Sequence, residues 1–150
     1  MCSAVSGLPC AGAEPRSPED TVRQYLAALK ERRLAAAYHL VSAAMRQGKS
    51  EEVWVKEQRA GMDVADVKIL EFTVHPGRVE GAVAHVPNVL SAQDRFLNQL
   101  GLTEYELYTL VREDGAWKVD RQVIVEPGDV QKWFPKRPEG AGARGSGTVP

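Results

Sequence analysis

Apolar residues recur at helical spacing through the first third of the chain and alternate with polar ones through much of the remainder, which predicts helices first and strands afterwards. Val22, Tyr25, Leu26 and Leu29 fall at i, i+3, i+4 and i+7. They follow Ser17, a capping residue, with Pro18 at the first helical position and Asp20 three residues beyond the cap. A charged break from Lys30 to Arg33 leads to a second helix, with Leu34, Ala37, Tyr38, Val41 and Met45 on one stripe and Gly48 as its stop. Ser50 caps a short third helix with Glu51 and Glu52 in its first turn, Val53 and Trp54 toward the core, and Gly61 at its end.

The period then changes to that of a sheet. Leu70, Phe72 and Val74 alternate toward one face, His75-Pro76-Gly77-Arg78 turns the chain, and Val79, Gly81, Val83 and His85 return on the same face. Pro87, which lacks a backbone donor, is read as the end of that strand. Ser91 with Asp94 resembles a capping box, and Phe96, Leu97 and Leu100 before Gly101 suggest a short helix across the mouth of the sheet.

The strongest signal is the hairpin from Thr103 to Glu126, two β-branched and aromatic runs around Asp114-Gly115. A two-residue loop would place Arg112 beside Trp117 and Tyr108 beside Arg121. A three-residue loop, Glu113 to Gly115 with Gly115 left-handed in a bulge, pairs Val111 with Trp117, Thr109 with Val119, and Tyr105 with Val123. The second register segregates the faces better. It puts Tyr105, Leu107, Thr109, Val111, Trp117, Val119 and Val123 inside, and Glu104, Glu106, Arg112, Lys118, Asp120 and Gln122 outside. Arg121 alone breaks the apolar face.

The expected fold is therefore α+β, with three N-terminal helices packed on one side of a curved antiparallel sheet of about four strands. At 150 residues, 43% hydrophobic and 26% charged, the chain supports one domain with a real core, placed at residues 17–135. A net charge of −1 with mixed signs provides no basic footprint and argues against nucleic acid as a partner. No run of apolar residues is long enough for a transmembrane helix.

The ends read differently from the middle. Cys2 and Cys10 both lie outside any periodic segment, so neither a core disulfide nor a zinc site is expected. Ala11-Gly12-Ala13 has the small-x-small form that ends a secretory signal, behind weakly apolar residues but without a basic n-region. Residues 1–16 are read as a disordered or remnant signal segment, and the domain as exported to the periplasm or cell envelope if the start is truncated, cytoplasmic otherwise. The Gly-rich residues 136–150 are expected to be a disordered tail, and GARGSG within them has no strand before it to make a phosphate loop.

SPEDTVRQYLAALKERRLAAAYHLVSAAMR, SEEVWVKEQR and YTLVREDGAWKVDRQVIV together resemble the nuclear transport factor 2-like superfamily, in particular small exported bacterial members of uncharacterised function. The resemblance implies a cystatin-like cone with a pocket between helices and sheet, and often a homodimer made through the sheet. Ketosteroid isomerases, polyketide cyclases and non-catalytic proteins share this fold, so the fold alone does not select an activity.

In the chosen register the strand carboxylates Glu71, Glu80, Glu104, Glu106 and Asp120 face away from the pocket, which removes the general base that an isomerase would need. The candidate pocket residues are His85, Arg121, Tyr105 and Thr109 from the sheet, with Tyr38 and Trp54 from the helices. The expected function is a non-catalytic domain that binds a small apolar or anionic ligand, or a partner, with no cofactor. The alternative is a cofactor-free isomerase or lyase using His85 as base and Arg121 or Tyr105 as oxyanion stabiliser. His39 and His75 are too scattered for a metal site. On the outer face, Tyr108, Leu110 and Ile124 would form a dimer contact.

Overall fold

The computed structural model describes residues 15–96 and 101–135. Helix α1 (Pro18–Lys30) starts where its cap dictates: the Ser17 side chain accepts the Asp20 amide, and Glu19 and Asp20 lie at the positive end of the helix dipole. Helices α2 (Leu34–Tyr38), α3 (Ala43–Arg46) and α4 (Glu51–Ala65) follow. The strands are β1 (Lys68–Val74), β2 (Arg78–Glu80), β3 (Val83–Gln93), β4 (Thr103–Glu113) and β5 (Ala116–Ile124). After them a 3-10 turn (Pro127–Asp129) and the short α5 (Val130–Trp133) close the described chain. The antiparallel sheet has the order β1-β3-β4-β5, and β2 pairs with β3 beyond the end of β1.

Helices cover one face of this sheet. Val22, Tyr25, Leu26 and Ala28 of α1, Ala37 of α2 and Trp54 of α4 pack on Ala84, Val86 and Leu90 of β3, Tyr108 and Leu110 of β4, and Trp117 and Val119 of β5. The α+β layering read from sequence is therefore present, with helices that differ in number and length from the expected three. Among the described residues there are five.

The second expected helix is cut in two. Val41 makes a parallel bridge to Val119, with Ser42 N donating to Val119 O at 2.8 Å and Val119 N to Leu40 O at 2.8 Å. A backbone that pairs with a strand cannot continue its own helical ladder, so α2 stops and Ser42 caps α3 by accepting the Met45 amide. Helix α4 begins at its Ser50 cap as expected but passes through Gly61 and ends at left-handed Asp66. Its Trp54 is core, whereas Val53 is exposed.

Strand β3 runs straight through Pro87, correcting the strand end placed there. Pro87 sits opposite the gap between β1 and β2, where only the loop His75 to Gly77 faces it, and its carbonyl accepts the His75 amide at 2.9 Å. The missing donor therefore falls where no ladder bond is required. Ser91 belongs to β3 and caps no helix; residues 97–100, the rest of that expected helix, lie outside the described residues, as do residues 1–14 and 136–150 with their signal-segment and tail expectations.

The hairpin has the two-residue loop. Asp114 and Gly115 both have positive φ, 53° and 78°, and Arg112 pairs with Trp117. This is the turn whose twist matches that of the strands. The register then shifts once: Leu110 pairs with Val119 but Thr109 with Arg121, leaving Asp120 as a β-bulge. Trp117 and Val119 lie on the helix side before the bulge, and Gln122 lies on that side after it. On β4 the helix-facing residues are Glu106, Tyr108 and Leu110, all buried. The face assignment derived from the three-residue loop is thus inverted along β4, because one residue of slip exchanges the two faces.

Candidate functional site

The helices and sheet leave a cavity of about 350 Å³ between them. Its walls are Tyr25, Leu26 and Leu29 of α1, Met45 of α3, Gln58 and Met62 of α4, Val67, Ile69 of β1, and Leu90 and Ala92 of β3; Glu106, Tyr108 and Gln122 line its polar side. Apart from Gln58 the walls are apolar because the helical stripes and the inner strand positions that build the core continue into them. The polar end comes from alternation on β4, Glu106 and Tyr108 being two residues apart, and from the bulge at Asp120, which rotates Gln122 inward.

Glu106 is only 3% exposed, and three neutral donors hold it. Asn88 Nδ2 donates to Oε2 at 2.8 Å, the Tyr108 hydroxyl to the same oxygen at 3.2 Å, and Gln122 Nε2 to Oε1 at 2.7 Å. Burial raises the Glu106 carboxyl above its ordinary range; the three hydrogen bonds work against that rise, and the nearby Glu104 charge adds to it. Burial, then the charge of Glu106, pushes the Tyr25 hydroxyl up to about 12. Tyr108 is raised too, first by burial. Both phenols therefore remain donors across the physiological range.

Their rings meet edge to face with centroids 6.2 Å apart. The Tyr25 ring lines the cavity, and Asn88 Oδ1, fully buried, has no hydrogen-bond partner. The site thus offers one carboxyl that can accept or, when protonated, donate.

The six residues singled out from sequence do not gather in this cavity. His85, Thr109 and Arg121 do come together, as in-register neighbours across β3, β4 and β5, with Thr109 Oγ1 3.3 Å from His85 Nδ1. They lie on the sheet face opposite the cone, the physical reason being the two-residue loop and the bulge. Tyr105 shares that outer face. The C-terminal segment covers part of it, with Trp133 against His85 at 5.6 Å and Phe134 against Tyr105 at 5.0 Å between ring centroids. Tyr38 and Trp54 lie on the helical side with rings 5.7 Å apart, and the Tyr38 hydroxyl donates to Lys49 O at 3.0 Å. A base at His85 with Arg121 as its helper would therefore act outside the cone. The expected outer contact also changes: Tyr108 and Leu110 face the core, and Ile124, although exposed, pairs with inward-facing Glu106.

Glu106 and Gln122 were missed because they follow from the two-residue register and the bulge, whereas Tyr25 was read only as a core position of the first helix. The signal that could have found the first was its spacing from Tyr108 and Leu110, read with the two-residue Asp-Gly loop. A second hollow of about 410 Å³ lies between α1 and α2, beside Arg16, Arg33 and His39. Arg33 and His39 there are already paired, with Glu31 and Glu51, so the cone is the stronger site. Among the described residues no group of His, Cys, Asp and Glu could hold a metal ion, and no helix is long and apolar enough to cross a membrane.

No protein-family model matches the chain, and no curated protein matches it by sequence. Solved structures do match in shape. A SEC-C motif containing protein from Rhodopseudomonas palustris has a TM-score of 0.57 at 17% identity, covering 74% of this chain and 83% of its own. A ketosteroid isomerase-like protein from Shewanella frigidimarina has a TM-score of 0.52 at 20% identity over 73% of this chain and 95% of its own. An NTF2-like protein from Cytophaga hutchinsonii reaches 0.51 at 15% identity, covering 71% and 92%. The chain has the NTF2-like, cystatin-like cone fold. At these identities the likeness is one of fold.

Proposed function

We propose that this chain is a non-catalytic binding domain whose cone takes one small molecule with an apolar body and a polar end. The observation that carries the reading is the polar set at one side of a largely apolar cavity: Tyr25, Tyr108 and Gln122 beside buried Glu106. A purely structural core would be expected to omit a buried carboxyl with no cation beside it. The test is a titration of the full chain, carrying ¹³C-methyl methionine, with 4-ethylphenol. Saturable shifts at Met45 and Met62, abolished when Ala92→Phe fills the cavity, are the expected result. Unchanged methyl resonances at millimolar probe would overturn the reading.

A second reading, a cofactor-free proton-transfer enzyme, is favoured by one observation, the upward shift of the Glu106 carboxyl by burial. It would use Glu106, not His85. Against it, both carboxylate oxygens already accept hydrogen bonds, which lowers their basicity. Deuterium exchange at the α-carbon of a cyclic ketone probe, lost in Glu106→Gln, would support it; exchange at the solvent rate would remove it.

A further inference from the structure

We infer that the ligand of the cone is a small apolar amine, bound as its ammonium ion to Glu106, an inference that rests on the binding reading above. The argument is one of charge. Among the described residues lining the cavity, none is Lys, Arg or His, and the donors that hold Glu106 are a side-chain amide on β3, a phenol on β4 and a side-chain amide on β5. When ionised, this carboxylate is a buried charge without a counter-charge among them, and such groups are normally paired. The other titratable groups near it sharpen the sign. Glu104 from β4 adds negative potential, Tyr25 from α1 and Tyr108 from β4 are neutral phenols, and the lining residues from α3 and α4 are uncharged.

The cavity therefore repels an anion. A neutral molecule would satisfy the apolar walls but would leave the carboxylate uncompensated. An ammonium answers it directly. Glu106 Oε1 accepts a hydrogen bond from Gln122 at 2.7 Å, so a lone pair remains for an N–H donor. The edge-to-face rings of Tyr25 and Tyr108 provide the aromatic surface on which a cation is also favoured. The volume of about 350 Å³ accommodates a one-ring or short-chain amine.

Isothermal titration calorimetry of the full chain with three molecules of nearly the same shape tests this: 2-phenylethylamine, 2-phenylethanol and phenylacetate. The amine is expected to bind roughly tenfold or more tightly than the alcohol at neutral pH, with phenylacetate weakest. In Glu106→Gln the amine's advantage should disappear while the alcohol still binds, which also shows that the variant is folded. Alcohol binding equal to or tighter than amine binding in the native chain would overturn the amine inference and leave the binding reading standing. Binding of none of the three would overturn both.

Discussion

Asn88 and Glu106 form a buried pair whose energetics can be separated by a double-mutant cycle. Asn88 is fully buried; its Nδ2 donates to Glu106 Oε2 at 2.8 Å, and its Oδ1 has no partner. Glu106→Leu leaves the whole amide unsatisfied, at about 1–3 kcal/mol for the orphaned donor. Tyr108 can turn its hydroxyl toward the cavity and the exposed Gln122 can turn to water, while the leucine gains apolar burial. The single substitution should therefore destabilise by only about 1 kcal/mol. Asn88→Val in the native background removes one donor from the carboxyl but also the orphaned Oδ1, so its net effect should stay within about 1 kcal/mol. Made together, the two substitutions remove the Asn88 amide along with the carboxyl it donated to. The double variant should be more stable than Glu106→Leu by about 2 kcal/mol, a coupling of about 1–3 kcal/mol. Urea unfolding followed by the fluorescence of buried Trp54 and Trp117 measures each corner. Additivity within about 0.5 kcal/mol would refute the reasoning, because Asn88 would then not depend on Glu106 for its pairing.

Two further outcomes follow from the same geometry. Because burial raises the folded Glu106 carboxyl above its ordinary value of 4.5, the folded state holds that proton more tightly. Its contribution to stability is full below that ordinary value and is lost as pH rises through the folded one. Urea midpoints measured from acid to alkaline pH should show Glu106→Gln gaining on the native chain as pH rises, and a difference that does not vary with pH would contradict this. At the β1–β2 loop, a methyl group on Gly77 would lie 2.5 Å from His85 O and 2.9 Å from Val86 Cγ2. Gly77→Ala should cost about 1–3 kcal/mol, visible as a lower thermal midpoint, and an unchanged midpoint would mean that the loop moves freely.

The parts of the fold legible in the sequence are those decided within a few residues. Ser17 and Ser50 cap helices because a hydroxyl reaches an amide three residues away, whatever surrounds it. That a hairpin turns around Asp114-Gly115 was legible because those two residues adopt positive φ readily, although the two-residue length of the loop was not. Alternation located the two strands of that hairpin. Pro87 misled for the same reason that it was informative: its missing donor is a local fact, whereas the harmlessness of that loss depends on the β1–β2 gap opposite it.

The site belonged to the other category. Segregation of polar from apolar residues favoured a register that would have turned Glu106 outward, since a carboxylate is ordinarily cheaper in water than in a core. Tertiary structure overrode that preference. The two-residue turn and the bulge at Asp120 bring Trp117, Val119, Tyr108 and Leu110 together under the helices, and Glu106 follows Tyr108 inward through the strict period of the strand. By itself, the sequence determined where α1 and α4 begin and where the last hairpin turns, because capping and turn chemistry act locally. Which face of each strand meets the helices, and hence what lines the cone, was decided only by long-range pairing, since one residue of slip exchanges the two faces at no local cost.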